Sequence, residues 1–320
     1  MSDLRKLVKD AQNILIAGHL RPDGDCVGAC VAAYHYLKDG YPDKCIHVYL
    51  ETLPARFEFL DENRTIISEE IALEHYDLCI ALDSSSSDRL GKAESYFYDA
   101  KRTLCIDHHI SNEAYAMENV TLPDASSTCE VLYGLMQETI SRETAAALYI
   151  GIIFDSGGFS YSNTSKKTME IAGALMETGI PFWEYIDRCF HQRSYIQTQL
   201  LGRTLLTSMR LMDGQCIVAT ITRRMMEFYE AKTEDIEGII DQLRVTKGVE
   251  VAILLHEIGN QEYKVSMRSN SCVDVSRIAA YFSGGGHVRA AGCTMRGSVH
   301  DVINNITEHI EAQLKNKITA

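Results

Sequence analysis

Short apolar runs alternate with longer amphipathic segments in the first half of the chain. Four such runs, each typical of a buried strand, are NILIAGH (13–19), CIHVYLE (45–51), DLCIALD (77–83) and TLCID (103–107). Between the first two, CVGACVAAYHYLKDG (26–40) predicts a helix that ends at Gly40. Strands that alternate with helices are typical of an α/β domain, a mostly parallel sheet with helices on both faces.

The pattern changes after residue 208. MRLMDGQCIVATIT (209–222) and VEVAILLHEIGNQEYKVSMRS (249–269) each predict a hairpin, because Asp-Gly and Gly-Asn pairs separate their apolar runs. VDVSRIAAYFSGGGH (273–287) predicts a helix that runs into a glycine cluster. We therefore expect a first domain over 1–190, a helical connector over 191–208 and a smaller α+β domain over 209–320.

Composition and charge narrow the class of protein. The chain has 320 residues, 46% of them hydrophobic, which is enough for a core without disulfides. Its net charge of −13 argues against a long nucleic acid on a broad basic surface, but not against a small anion. Ten cysteines lie mostly in apolar runs and are expected to be reduced. With no signal peptide and no membrane-length apolar run, we expect a cytoplasmic protein and no membrane partner.

Acids and histidines follow the predicted strands of the first domain. His19, Asp23 and Asp25 come after the first strand, Asp83 ends the third, and Asp107, His108 and His109 end the fourth; Asp155 stands where an apolar run meets a glycine-rich turn. The carboxyl ends of parallel strands lie at one edge of a sheet, where ligands bind. These side chains are therefore expected to lie close together.

Such a cluster needs cations. Any one of these residues alone would be explained as a turn residue or a helix cap, but their joint placement at one edge favours metal binding. Carboxylates and imidazoles brought together without metals would repel and stay unpaired. Their chemistry predicts two divalent ions, with Mn²⁺ favoured and Mg²⁺, Fe²⁺, Co²⁺ or Zn²⁺ as alternatives. The lack of clustered thiols argues against structural zinc.

A second candidate site lies near the end of the chain, in VSMRSNS (265–271) and SGGGHVRAAGC (283–293). Its glycines would let a backbone approach a ligand closely, although a glycine cluster alone is also typical of a loop. The residues expected to contact a phosphate or a base are Arg268, Ser269, Gly285, Gly286, His287 and Arg289.

These motifs, in this order, resemble the DHH phosphoesterase family with its DHH-associated second domain. The matching stretches are HLRPDGDCVG (19–28), ALDSSSSDRLG (81–91), IDHH (106–109), FDSGGF (154–159) and GGGHVRAAG (284–292). Ser156 departs from the pattern, since many relatives have Thr there, but the hydroxyl is kept. Within the family, the chain looks most similar to the bacterial oligoribonuclease and pAp phosphatase group, which includes phosphodiesterases of cyclic di-AMP and pApA.

The resemblance implies a hydrolase with two metal ions, usually Mn²⁺. By motif, His19 and Asp23 would hold one ion, Asp25, His108 and Asp155 the other, and Asp83 would bridge both. Asp107 would orient the adjacent histidine, and His109 would face the scissile phosphate or help the leaving group. The residues of the second domain named above would bind the rest of the nucleotide.

The implied substrates are short oligoribonucleotides and linear or cyclic dinucleotides, with 3′-phosphatase activity on pAp. Three alternatives stay open. The net charge and the lack of an extra oligonucleotide-binding domain count against a RecJ-like single-strand exonuclease. The GGGH motif counts against a family II inorganic pyrophosphatase. A catalytically inactive nucleotide-binding module would lack a ligand, and every ligand is present. Because relatives often form dimers, a homodimer is also expected.

Overall fold

The computed structural model describes residues 3–61, 65–68, 75–136 and 139–318. The chain divides into two compact units, Met1–Gln192 and Arg193–Ala320. Within the described ranges, no helix combines the length and the apolar character needed to span a bilayer. All ten cysteines are free thiols.

A parallel sheet forms the centre of the first unit. Its strands are β1 Asn13–Ala17, β2 Cys45–Tyr49, β3 Ile66–Ile67, β4 Leu78–Leu82, β5 Arg102–Asp107 and β6 Glu118–Thr121. Their order is β3-β2-β1-β4-β5-β6, and every neighbouring pair is parallel. The four predicted strands are confirmed. The order reverses direction between β1 and β4, which is where ligands bind in open α/β sheets.

Helices cover both faces of this sheet, as predicted. They are α1 Leu4–Leu7, α2 Gly24–Gly40, α3 Ala93–Asp99, α4 Thr128–Gly134, α5 Arg142–Asp155, α6 Lys166–Glu177 and α7 Phe182–Ile186, with 3-10 turns at Ala55–Leu60 and Ser87–Leu90 and a π-helical turn at Asp187–His191. Ile14 and Ile16 of β1 face the core around α2 and α5, whereas Leu15 and Ala17 face the core that includes Phe97 of α3. The alternation along one strand thus buries both faces.

Local capping fixes where α2 begins. The predicted start was residue 26, but the helix starts at Gly24 because the Asp23 carboxylate accepts hydrogen bonds from the backbone N–H groups of Asp25 and Cys26, both 3.1 Å long. The cap thus fixes Asp23 and Asp25 at the start of the helix that follows β1. Ser141 caps α5 in the same way, and its side chain accepts the backbone N–H of Thr144.

A mixed sheet forms the second unit. Its strands are β7 Met209–Leu211, β8 Cys216–Ile221, β9 Val251–Gly259, β10 Glu262–Ser269, β11 Gly285–His287 and β12 Ala290–Arg296, in the order β11-β12-β10-β9-β8-β7. Its helices are α8 Tyr195–Leu206, α9 Arg223–Tyr229, α10 Ile239–Arg244, α11 Val275–Tyr281 and α12 Val299–Ile318, with 3-10 turns at Met212–Gly214 and Thr233–Ile236. The two predicted hairpins are confirmed, and this unit is α+β as expected.

Two features of this unit differ from the sequence pattern. Part of the glycine cluster forms β11, which pairs with β12, rather than a loop. Helix α8 lies in the stretch predicted as a connector, and its Leu200 packs in a core with Ile217 and Ala219 of β8. Helix α8 therefore packs within the second unit. The predicted domain boundaries at residues 190 and 208 stay predictions.

Candidate metal centre

Acids and histidines converge at the carboxyl edge of the parallel sheet. The residues brought together there are His19, Asp23, Asp25, Asp83, His108, His109 and Asp155. They come from the β1–α2 loop, the first turn of α2, the ends of β4 and β5, and the last residue of α5. The sheet order explains the convergence, because β4 lies between β1 and β5.

Asp83 lies at the centre of this group. One of its carboxylate oxygens is 3.5 Å from His19 Nε2, and the other is 3.8 Å from His108 Nε2 and 3.7 Å from His109 Nδ1. Its backbone has φ 56°, in the left-handed region that Asp tolerates better than most residues. Such uncommon backbone conformations cluster at functional sites.

Two histidines present the same ring nitrogen to the carboxylates. The Nδ1 atom of His19 is 2.8 Å from the Leu20 carbonyl oxygen, and that of His108 is 3.3 Å from the Ala125 carbonyl oxygen. A carbonyl can only accept, so each Nδ1 is the donor and each Nε2 faces the acids. This is the orientation that metal-binding imidazoles adopt.

Three subsets of these residues have ligand atoms within 4.8 Å of one another: Asp25 with His108 and Asp155; Asp83 with His108 and His109; and His19 with Cys26 and Asp83. The closest contact joins His108 Nε2 to an Asp155 carboxylate oxygen at 3.1 Å. Sequence reasoning missed Cys26, whose sulfur accepts the backbone N–H of His19. Its apolar surroundings in the sequence were typical of a core cysteine.

Asp25 is completely buried and held by the start of α4. Its two carboxylate oxygens accept the backbone N–H groups of Thr128 at 2.6 Å and Cys129 at 3.0 Å. The Thr128 hydroxyl donates to Asp83 at 2.9 Å. Sequence reasoning also missed these contacts, because the run Ser126–Thr128 signals only a helix start. Helix α4 therefore positions two of the candidate ligands.

Asp107 has a different role from its neighbours. It is buried, and one oxygen lies 2.7 Å from His109 Nδ1 and accepts the backbone N–H of His108 at 2.8 Å. The other oxygen accepts from the Asn112 side chain at 2.7 Å. Burial opposes ionisation, but the contacts with His109 and Asn112 lower the pKa of Asp107, while Asp107 raises that of His109. Asp107 thus fixes the orientation of His109.

The electrostatics of the cluster fit a cation. Burial, together with the charges of Asp83 and Asp23, raises the pKa of Asp155 to about 6, and the contact with His108 partly offsets the rise. Burial, together with the charges of Asp83 and Asp155, raises the pKa of Asp25 well above its usual range. Burial would lower the pKa of His108, but Asp155 and the other carboxylates outweigh it and raise it to about 10. Carboxylates that repel one another and inward-facing imidazoles form a donor set for a divalent metal.

The residues of the second unit that are predicted to contact substrate lie in two different environments. Arg268 stands near Asp241, with 3.8 Å between Nε and the carboxylate, and Gly285, Gly286 and His287 lie in the exposed strand β11. In contrast, Ser269 is buried and its hydroxyl donates to the Val288 carbonyl, while the Arg289 guanidinium donates to the carbonyls of Ser271 and Val273. Their predicted substrate contacts stay predictions.

Comparison with known proteins places the chain in a family. Residues 13–152 match the model of the DHH family, N-terminal domain, and residues 213–316 match the DHHA1 domain. The bifunctional oligoribonuclease and PAP phosphatase NrnA of Thermus thermophilus is 29% identical, over 89% of this chain and 84% of its own. The protein of the same name from Mycoplasma genitalium is 27% identical, over 95% of each chain.

A solved structure agrees with this placement. The exopolyphosphatase-related protein from Bacteroides fragilis superposes with a TM-score of 0.87 at 25% identity, over 96% of this chain and 94% of that one. The chain therefore belongs to the DHH family and carries a DHHA1 domain in its second unit.

Proposed function

We propose that the protein is a metal-dependent phosphodiesterase that hydrolyses short oligoribonucleotides and linear dinucleotides to mononucleotides, and that it removes the 3′-phosphate of pAp. The central position of Asp83 among three histidines is the observation that carries this proposal. The activities named for the two NrnA relatives, oligoribonuclease and PAP phosphatase, support the choice of substrate.

The proposed cofactor is a pair of divalent ions, with Mn²⁺ favoured. His19 and Asp23 would hold one ion, Asp25, His108 and Asp155 the other, and Asp83 would contact both. When bound, such a pair lowers the pKa of a water molecule and neutralises charge on phosphoryl oxygens. The repulsion among Asp25, Asp83 and Asp155 supports this assignment, because cations would relieve it.

His109 is the proposed proton donor to the leaving oxygen. Its Nδ1 is held by Asp107, so its Nε2 is the ring nitrogen that can reach a substrate. Asp107 is the proposed positioning residue, since both of its carboxylate oxygens are engaged by His108, His109 and Asn112. Asn112 in turn holds Asp107.

We further propose that the DHHA1 unit binds the rest of the nucleotide through Arg268, Gly285, Gly286 and His287. Arg268 lines a cavity of about 410 Å³ together with Lys264 and Ser266. Lys264 and Ser266 also line a neighbouring cavity with Gly284 and Gly285, so the cavities adjoin. Ser269 and Arg289 would act indirectly, by fixing the backbone around this groove.

The decisive experiment is an activity panel. The substrates are pApA, pGpG, pAp, a five-nucleotide RNA, cyclic di-AMP and a long single-stranded DNA, each with Mn²⁺ and with Mg²⁺. We expect Mn²⁺-dependent turnover of pApA and pAp. Preference for the long DNA would instead support the RecJ-like exonuclease. Metal binding with no turnover of any substrate would support the inactive nucleotide-binding module.

A further inference from the structure

The second unit contains a cavity that the proposed function does not use. It has a volume of about 710 Å³, within the range of small-molecule sites, and lies between the end of α8, strand β8 and helix α9. The lining residues that matter here are Arg203, Thr220, Arg224, Met225, Phe228 and Tyr229. None of them is a candidate metal ligand or a proposed substrate contact.

Two exposed arginines, Arg203 and Arg224, line this cavity. Among the described residues, no ion pair or side-chain hydrogen bond is made by the guanidinium of Arg203 or of Arg224. Acidic residues outnumber Lys and Arg by 44 to 31 in this chain, so carboxylates are not scarce. Two guanidinium groups on one cavity form a site to which an anion from outside can bind through paired hydrogen bonds.

An aromatic wall adjoins the two charges. Phe228 is 77% exposed, and its ring meets that of Tyr229 edge to face, with 4.9 Å between centroids. Met225 lines the same cavity and adds apolar surface. A free phosphate would gain nothing from this wall. A planar base, by contrast, would bury it by stacking.

We propose that this cavity is a second nucleotide-binding site of the protein. Arg203 and Arg224 bind the phosphate of a mononucleotide, and Phe228 and Tyr229 contact its base. The ligand belongs to the same chemical class as the products of the proposed reaction. The site itself contains none of the residues that carry that reaction, so its occupancy is measurable without turnover.

Photolabelling tests this assignment directly. The intact protein is irradiated with 8-azido-AMP in EDTA, and the labelled peptides are identified by mass spectrometry. We expect label within residues 220–229. AMP should compete, whereas inorganic phosphate and adenosine at the same concentration should not. The double variant Arg203→Gln/Arg224→Gln should bind AMP at least about tenfold more weakly at this site, since two charge-assisted contacts are lost.

The matched control is Arg277→Gln, an exposed arginine on α11 outside the cavity, and it should label like the wild type. Unchanged melting temperatures show that the variants are folded. Label confined to other peptides, or undiminished in the double variant, would overturn the proposal. Concentration-dependent self-association that Phe228→Ser abolishes, with no labelling of 220–229, would overturn it in favour of a protein contact.

Discussion

Two buried carboxylates, Asp25 in the first unit and Glu250 in the second, accept backbone hydrogen bonds yet have opposite electrostatic properties. Burial and the neighbouring acids Asp83 and Asp155 raise the pKa of Asp25. Burial also disfavours ionised Glu250, but hydrogen bonds from Ser271, Cys272 and Val273 outweigh it and lower its pKa to about 2. Neighbouring charge therefore separates a carboxylate suited to a cation from one that stabilises the fold.

The largest expected effect comes from Asp83, which lies beside Asp25 among the acids of the first unit. Asp83→Asn keeps the size of the side chain, its tolerance of φ 56° and an acceptor for Thr128, but removes the charge. Mn²⁺-dependent turnover of pApA should fall by at least about 10²–10³-fold. In EDTA, the free energy of unfolding should change by less than about 1 kcal/mol, because the relief of repulsion with Asp25 and Asp155 is offset by the loss of attraction to His19 and His108.

Steady-state kinetics measure the loss of turnover, and urea unfolding measures the change in the free energy of unfolding. Mn²⁺ should raise the melting temperature of the wild type and have little effect on the variant. Full activity in Asp83→Asn would show that a residue other than Asp83 contacts both metal ions. A loss of more than about 1 kcal/mol in EDTA would show that the carboxylate serves the fold, as Glu250 does.

A smaller loss of activity is expected from Asp107→Asn. The amide cannot accept from His109 and Asn112 as the carboxylate does, so His109 loses its fixed orientation. We expect kcat for pApA to fall by about 10–100-fold with little change in KM. The control is Asp99→Asn, an exposed acid on α3. A change in KM alone would contradict a positioning role.

In the second unit, two neighbouring glycines form a matched pair. Gly286 has φ 140°, and an added Cβ would lie 2.5 Å from the Ala290 carbonyl oxygen, whereas a Cβ at Gly285 meets nothing within 4 Å. Gly286→Ala should lower the free energy of unfolding by about 1–3 kcal/mol. Gly285→Ala should change it by less than about 0.5 kcal/mol. Calorimetry on both variants measures the two free energies of unfolding. Equal losses of stability would show that the backbone conformation at Gly286 is not the cause.

The smallest effect is a pH dependence in the second unit. The folded-state pKa of Glu250 lies below its ordinary value of 4.5, so its stabilisation is fully present above pH 4.5 and is lost as the pH falls towards about 2. Glu250→Gln should remove about 1–2 kcal/mol of this dependence, once solvent screening is allowed for. Urea unfolding at pH 3 and pH 6 measures it. Parallel pH profiles in variant and wild type would show that the charge contributes nothing.

Apolar runs made most of the first sheet predictable. The four predicted strands lie where expected because their side chains are buried on both faces of the sheet. Strand β6 escaped prediction because ENVT has no apolar run and lies at the sheet edge. Strand β11 escaped because Gly-Gly has no β propensity; pairing with β12 positions it.

The candidate ligands were also visible in the sequence, since they follow strands whose ends share an edge. The groups that hold them were not. Thr128 bonds Asp25 from 103 residues away and Asp83 from 45 residues away, and such contacts follow from tertiary packing rather than from a local pattern. Asn112 stands in an unremarkable loop, and only the structure shows that it holds Asp107.

The position of Asp155 at the end of α5 has a consequence for synthesis of the protein. On the ribosome, strands β1 to β6 are all made before this residue is added. Under the proposed assignment, a nascent or prematurely terminated chain holds an incomplete set of metal-binding groups until translation passes it. Truncated translation products would then be unable to degrade RNA, and hydrolytic capacity would arise only after the whole first sheet has been made.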